Sequence, residues 1–328
     1  MSAVLTLTLP VFGLVFCGFA GARGRLLPEH SVAGLNAFVF WFALPAMLFR
    51  VISANPLQAL LDARFITGYL LATLGLFAAA RAAGRRGWID PARSDGRQAT
   101  ADAMTCAHGN VGYLGLALVA EIGQQYLPTV ALTILCEVFV LIAIAVALLE
   151  KQRHPQARGW RIALTIGTGL VRSPLIASIA LGLLVAALGW PMPPVIDNFL
   201  RLLGNAAGPC ALFAIGATLG VQRVSLDRAT LVLVIAKLLI HPLLAAIALY
   251  WLIPVSPSQA AAGVLCATLP AGANNFIVAQ RYGADTTAIS AALLLGTFAA
   301  LATVSVAIVL LGRAWTKAAT RPRSSLPG

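Results

Sequence analysis

Two short polar stretches interrupt apolar runs that are otherwise long enough to cross a bilayer. The first reads Ala103-Met-Thr-Cys-Ala-His-Gly-Asn-Val-Gly-Tyr-Leu-Gly-Leu-Ala-Leu118, where Gly109, Gly112 and Gly115 bracket Asn110 and His108 comes just before. The second reads Cys266-Ala-Thr-Leu-Pro-Ala-Gly-Ala-Asn-Asn-Phe-Ile-Val-Ala-Gln-Arg-Tyr-Gly283, with Pro270, Gly272, Asn274 and Asn275 at its centre. Proline removes a helical N–H donor and glycine weakens helix. Lipid offers nothing to the freed backbone groups, so such a break survives only in protein or beside a water-filled cavity. A broken helix presents N–H groups at the start of its second half, and that end attracts an anion. The chemistry these residues can do is therefore binding: backbone donors plus the amides of Asn110, Asn274 and Asn275, with glycines that let a ligand approach the backbone. The competing reading is that small and polar residues only glue helices together; breaks at matching places in two halves of the chain argue against it.

A second set of candidates is ionisable. Glu137, Lys237, His241 and His108 fall within or near apolar runs, where charge is costly and marks function by default. Lys237 and His241 are one helical turn apart and share a face; Lys237 could instead snorkel to the surface. His241 or Glu137 could carry a coupling proton, and H+ or Na+ are the candidate coupling ions. Neither HExxH, GxSxG nor a phosphate-loop motif occurs within the spans, so an enzyme or an ATP-driven pump is not expected, and no cofactor is called for.

The elements that must position these residues are membrane spans. Of the 328 residues, 59% are hydrophobic and 10% charged, against about 25% charged in soluble domains; mean hydropathy is +0.88. Ten apolar segments are expected, near 3–22, 31–53, 65–84, 102–122, 127–149, 170–189, 197–220, 229–253, 258–281 and 286–312. The first is read as a retained span, because no basic stretch precedes it to make a signal peptide. The net charge of +12 gathers in short connections, above all 81–101 and 150–169. That pattern is read as cytoplasmic retention of Arg and Lys, with both termini outside, and not as a nucleic-acid surface. The basic tail around Arg313 and Lys317 argues mildly the other way. The five cysteines show no CxxC or ligand spacing, so neither metal nor disulfide is expected.

The chain also looks doubled. Pro45-Ala-Met-Leu-Phe49 matches Pro209-Cys-Ala-Leu-Phe213, and Ala-Glu-Ile-Gly123 and Gln-Arg-Tyr-Gly283 close the two interrupted spans at nearly equal distance from those prolines. Because five is odd, a second five-span unit enters from the opposite face. The expected fold is an all-α polytopic membrane protein of ten transmembrane helices in two inverted five-helix repeats, with broken helices four and nine crossing. The expected divisions are 1–150 for the first repeat, 151–169 for a basic cytoplasmic loop, 170–312 for the second repeat and 313–328 for a polar tail.

Phe38-Val-Phe-Trp-Phe-Ala-Leu-Pro-Ala-Met-Leu-Phe49, Gly109-Asn-Val-Gly-Tyr-Leu-Gly-Leu-Ala-Leu118, Leu269-Pro-Ala-Gly-Ala-Asn-Asn-Phe-Ile-Val-Ala-Gln-Arg-Tyr-Gly283 and Lys237-Leu-Leu-Ile-His-Pro242 occur in the order seen in one family. Over nearly its whole length the chain resembles the auxin efflux carriers, which include bacterial malonate permeases. Ala117 stands where the family usually has proline, which softens a kink in the fourth span. The resemblance implies a scaffold part, a crossover part and elevator-like movement of organic anions. It implies that a substrate carboxylate is held by Asn110 with its flanking glycines, by Pro270, and by Asn274 or Asn275.

The function expected is a secondary carrier of small organic anions, monocarboxylates or dicarboxylates, in the cytoplasmic (inner) membrane. His108, Gly109, Asn110, Gly112, Pro270, Gly272, Asn274 and Asn275 are its candidate binding residues, and Glu137, Lys237 and His241 its candidate coupling residues. The alternative is a cation/proton antiporter of the same architecture, which would want carboxylates at the crossing. The partners expected are the anion and membrane lipid; no stretch compels a homodimer, although surfaces of small residues could support one.

Overall fold

The computed structural model describes residues 2–55, 62–153, 174–220 and 226–319, with isolated positions between 160 and 168. Most of the expected 151–169 loop, Arg172 and the far end of the tail lie outside the described residues. Among the described residues every regular element is a helix. In chain order they are α1 (Ser2–Arg23), α2 (Glu29–Phe38), α3 (Leu44–Ser53), α4 (Ala63–Arg85), α5 (Gly96–Ala107), α6 (Leu116–Ile122), α7 (Leu127–Leu135) and α8 (Ala143–Arg153). Then follow α9 (Pro174–Leu188), α10 (Pro194–Asn205), α11 (Ala207–Gly220), α12 (Arg228–Ile235), α13 (His241–Ile247), α14 (Pro257–Ala267), α15 (Asn274–Arg281) and α16 (Thr287–Ala319).

Several of these join end to end. Among the described residues six continuous helical stretches are long and apolar enough to cross a membrane: Ser31–Ser53, Ala63–Arg85, Gln124–Arg153, Pro194–Thr218, Arg228–Leu252 and Thr287–Gly312. Shorter apolar helices cover Gly13–Arg23, Val111–Ile122 and Pro174–Leu188. The chain is thus a multi-pass membrane protein. The expected fourth and ninth spans are each two short helices with an unwound centre. The fourth begins earlier than expected, at Gly96, because the Asp95 carboxylate accepts from the N–H groups of Arg97 and Gln98. Asp62, Asp227 and Ser256 cap α4, α12 and α14 in the same way, each cap contributing about 1 kcal/mol. So several of the chain's few acids serve to start helices.

Wide i→i+5 turns interrupt the long helices at Val39–Ala43, Val111–Gly115, Cys136–Ile142, Ala236–Ile240 and Ala248–Leu252. Two have a visible cause. Pro45 and Pro242 follow the first and fourth of them, and a proline cannot donate to the preceding turn. Such widening re-aims side chains and is common at functional sites.

The helices sort into two packed groups. In one, α1 lies along α11, α2 packs on α11, and α3 packs on α9 and α10. The α1–α11 contact is backbone against backbone: Gly18 faces the Phe213 carbonyl, and Gly216 and Gly220 face the carbonyls of Val15 and Phe19. Any larger side chain there would push the helices apart, the usual logic of small residues four apart in membranes. In the other group, α4 packs on α5 and α13, α5 on α8 and α15, α12 on α16, and α14 on α7, α13 and α16. The groups meet where α1 touches α6 and α16, where α11 touches α6, and where α3 touches α7.

Candidate functional site

The two unwound centres cross and pair. Asn110 N–H donates to the Pro270 carbonyl at 2.8 Å, and Gly272 N–H donates to the His108 carbonyl at 3.2 Å. Gly109 and Ala271 thereby form an isolated antiparallel bridge. Each break satisfies backbone groups the other has freed, as membrane depth demands. Gly272 is glycine for a steric reason: a Cβ there would stand 2.6 Å from His108 Cε1 and 2.8 Å from the Gly109 carbonyl oxygen. Past the crossing, the second halves run on from Val111 and from Asn274.

On one side of the crossing lies a cavity of about 460 Å3 between the two helix groups. Asn36, Trp41 and Thr218 line it from one group; Asn110, Tyr113 and Asn274 line it from the other. The rest of its wall is Ala, Phe, Ile and Leu with Thr297, and among the described residues no ionisable side chain lines it apart from the Tyr113 phenol. Asn36 Nδ2 donates to Thr218 Oγ1 at 3.1 Å, and that hydroxyl donates onward to the Ala214 carbonyl. This fixes the Asn36 amide against the cavity wall.

On the other side of the crossing is a buried polar cluster. Lys237 Nζ donates to the Ala267 carbonyl at 2.7 Å, at the C-terminal end of α14, where a cation suits the helix dipole. It also stands 3.0 Å from His241 Nδ1. An ammonium can only donate, so Nδ1 accepts and Nε2 carries the hydrogen that meets Thr73 Oγ1 at 3.1 Å. Glu137 accepts from Gly109 N–H at 3.0 Å and from the Tyr69 hydroxyl at 2.8 Å; His108 Nε2 lies 3.8 Å from the same carboxylate. A Cβ on Gly109 would come 3.3 Å from Lys237 Nζ, so the cluster packs directly on the break.

The candidate residues therefore separate. Asn110 and Asn274 face the cavity. Asn275, the neighbouring alternative, is fully buried and donates its amide to the His108 carbonyl at 3.2 Å. His108, Gly109, Pro270 and Gly272 form the crossing itself, and Gly112 sits one turn along it with open space beside it. Glu137, Lys237 and His241 are brought together, but none lines the cavity. Lys237 is 1% exposed, so it does not snorkel. Asn36, Trp41, Tyr113, Thr218 and Thr297 are among the lining residues that sequence reasoning missed as site residues. Asn36 had a weak signal, an amide one turn before the Phe40-Trp41 pair in the second apolar segment.

Comparison with known proteins gives a consistent picture. The sequence model of a family described as membrane transport protein matches residues 3–308. A Rhizobium meliloti protein named "Putative malonate transporter" is 32% identical, with 95% of this chain and 97% of that protein covered. "Auxin efflux carrier component 8" of Arabidopsis thaliana is 25% identical over 92% of this chain and 95% of its own length. "Uncharacterized transporter YfdV" of Escherichia coli is 23% identical over 85% of this chain and 88% of its own.

Proposed function

We propose, from the premise that this chain belongs to the membrane transport protein family, that it is a secondary carrier of small organic anions, with small dicarboxylates of the malonate type as the first candidates. The name of the Rhizobium meliloti relative supports that substrate class. The observation that carries the proposal is the crossing: two paired helix breaks open into one cavity between two helix groups, with Asn110 and Asn274 on its wall. A carboxylate there meets the side-chain amides of Asn110 and Asn274 and the N-terminal end of α15, whose helix dipole favours negative charge. Lys237 and Glu137 act from behind, holding the breaks in shape by binding the Ala267 carbonyl and the Gly109 N–H.

Movement would be alternating access, with ten spans in two inverted repeats. The group bearing the crossing would slide against the group containing α1, α3 and α11. A second cavity of about 250 Å3 between the same two groups supports this. It is lined by Arg50 and Arg201 on one side and by Glu121 and Gln124 on the other. Arg50 lies 14 residues along a near-continuous helical run from Asn36, or about 20 Å at 1.5 Å per residue, so the two cavities sit toward opposite ends of the molecule. A cation/proton antiporter finds less support, since among the described residues no carboxylate lines the main cavity and Glu137 lies behind the crossing.

Uptake of radiolabelled malonate, succinate and lactate into proteoliposomes, with and without imposed proton and sodium gradients, tests the reading. Saturable carboxylate flux is expected. Sodium/proton exchange without carboxylate flux would replace the proposal with the antiporter.

A further inference from the structure

We propose that the groove between α4 and α8, at its basic end, binds the headgroup of an anionic phospholipid. A cavity of about 580 Å3 lies there, floored by Leu74, Phe77, Ile144 and Leu148 and rimmed by Arg81, Arg85 and Arg86. The floor is apolar and open, with Ile144 itself exposed at the surface. The rim is cationic, and among the described residues no ion pair with Asp or Glu involves any of the three arginines. An apolar slot ending in three guanidinium groups that no carboxylate neutralises suits an acyl chain with a phosphodiester at its head.

Two contacts build the site rather than leaving loose surface charge. Arg81 Nε donates to Thr100 Oγ1 at 3.0 Å, which holds this guanidinium against α5, one turn deeper along α4 than Arg85. Arg86 lies over the Trp88 ring at 5.4 Å, and Trp88 is 64% exposed. Exposed tryptophan marks the headgroup level of a bilayer, so the three arginines stand at the depth of lipid phosphates. Retention of positive charge on the cytoplasmic side explains why arginines are frequent in this connection. It does not explain why three of them gather at the mouth of an apolar groove, or why Arg81 is tied inside it. Basic pockets between transmembrane helices are a recurrent mode of anionic lipid recognition. Free phosphate would use the rim alone; a phospholipid uses rim and floor together. The groove belongs to the helix group that carries the crossing, so a lipid held here is attached to the part that moves in the proposed transport cycle.

The test uses the full-length protein, purified and delipidated in neutral detergent, with native mass spectrometry and thermal unfolding as readouts. Phosphatidylglycerol should stay bound and raise the unfolding midpoint, and phosphatidylcholine should do neither. Each arginine near the surface is worth about fivefold in affinity for an anionic lipid. Arg81→Gln/Arg85→Gln/Arg86→Gln together should therefore weaken phosphatidylglycerol on the order of a hundredfold. The double variant Arg85→Gln/Arg86→Gln keeps the Arg81–Thr100 bond and should lose about twenty-five-fold, so the site can be read even if the triple variant misfolds. Equal retention of the two lipids, or unweakened phosphatidylglycerol binding in the double variant, would overturn the proposal. So would inorganic phosphate reproducing the full thermal shift, which would make this a free-anion site.

Discussion

Replacing Gly272 with alanine should force the two breaks apart. The new methyl carbon would lie 2.8 Å from the Gly109 carbonyl oxygen, where ordinary contact begins at 3.4 Å, so backbone must move by about 0.6 Å. His108 closes the other side, with Nδ1 at 2.7 Å. The Gly272 N–H bond to His108, 3.2 Å long, would stretch to about 3.8 Å and fail. Losing one backbone bond costs about 1 kcal/mol, and overpacking a tight site costs about 1–3 kcal/mol, for a sum of about 2–4 kcal/mol. The same shift moves Asn110, which is bonded to Pro270 in the same bridge, so carboxylate flux should fall roughly tenfold or more, as sub-ångström misplacement of binding groups does. Gly75→Ala, on the exposed face of α4, is the control, because a Cβ there meets nothing within 4 Å. Unfolding midpoints in detergent and flux in proteoliposomes would be measured for both variants. If Gly272→Ala behaves like Gly75→Ala in both assays, the steric account of the crossing is refuted.

Other outcomes follow from the same geometry. Asn110→Ala and Asn274→Ala should each lower carboxylate flux while leaving the amount of folded membrane protein unchanged. Asn275→Ala should instead lower the unfolding midpoint, by about 1 kcal/mol of stability, because it removes one of the two donors to the buried His108 carbonyl; the reverse pattern would show the two amides misassigned. Lys237→Met should cost a similar amount or more by stranding the Ala267 carbonyl and His241 Nδ1, read as a lower midpoint and reduced yield of monodisperse protein. In the connection before α16, burial pushes the Asp285 carboxyl up, but bonds from the Thr287 N–H and hydroxyl and the charge and bonds of Arg93 outweigh it and hold it below the ordinary carboxylate range. A depressed value stabilises the fold above the unfolded-state pKa, near 3.9, and that contribution is lost as pH falls through the depressed value. Midpoints recorded from about pH 6 to 3 should therefore fall less steeply for Asp285→Asn than for the parent protein.

The places where helix gives way were legible from residue type. Pro270, Gly272 and Gly109 do not sustain regular helix, and the chain unwinds at those positions, while Gly112 and Gly115 lie in the wide turn that follows. The direction of each side chain was not. Asn274 and Asn275 differ by one step, about 100° around a helix, and only packing decides that the first faces the cavity and the second the His108 carbonyl. Wide turns add to the difficulty: Glu137 and Lys237 both sit in one, where spacing counted at 3.6 residues per turn misleads. The meeting of Lys237, Glu137, Tyr69 and the two breaks is tertiary, drawn from five separate stretches of chain. The far wall of the cavity, with Asn36, Trp41 and Thr218, belongs to the other helix group, and nothing local ties those residues to Asn110.

The uncharged wall of the main cavity has an electrical meaning. Among the described residues no acidic or basic side chain lines it, so in the proposed carboxylate cycle no wall charge offsets that of the cargo as it crosses. Each negative charge then feels the full voltage, about 2.3 kcal/mol per 100 mV, or roughly a fiftyfold bias toward the positive side. For a divalent acid the bias is that factor squared. In an energised cell, negative inside, this carrier would act as an outlet for such acids, and running it inward would demand an ion that travels with them.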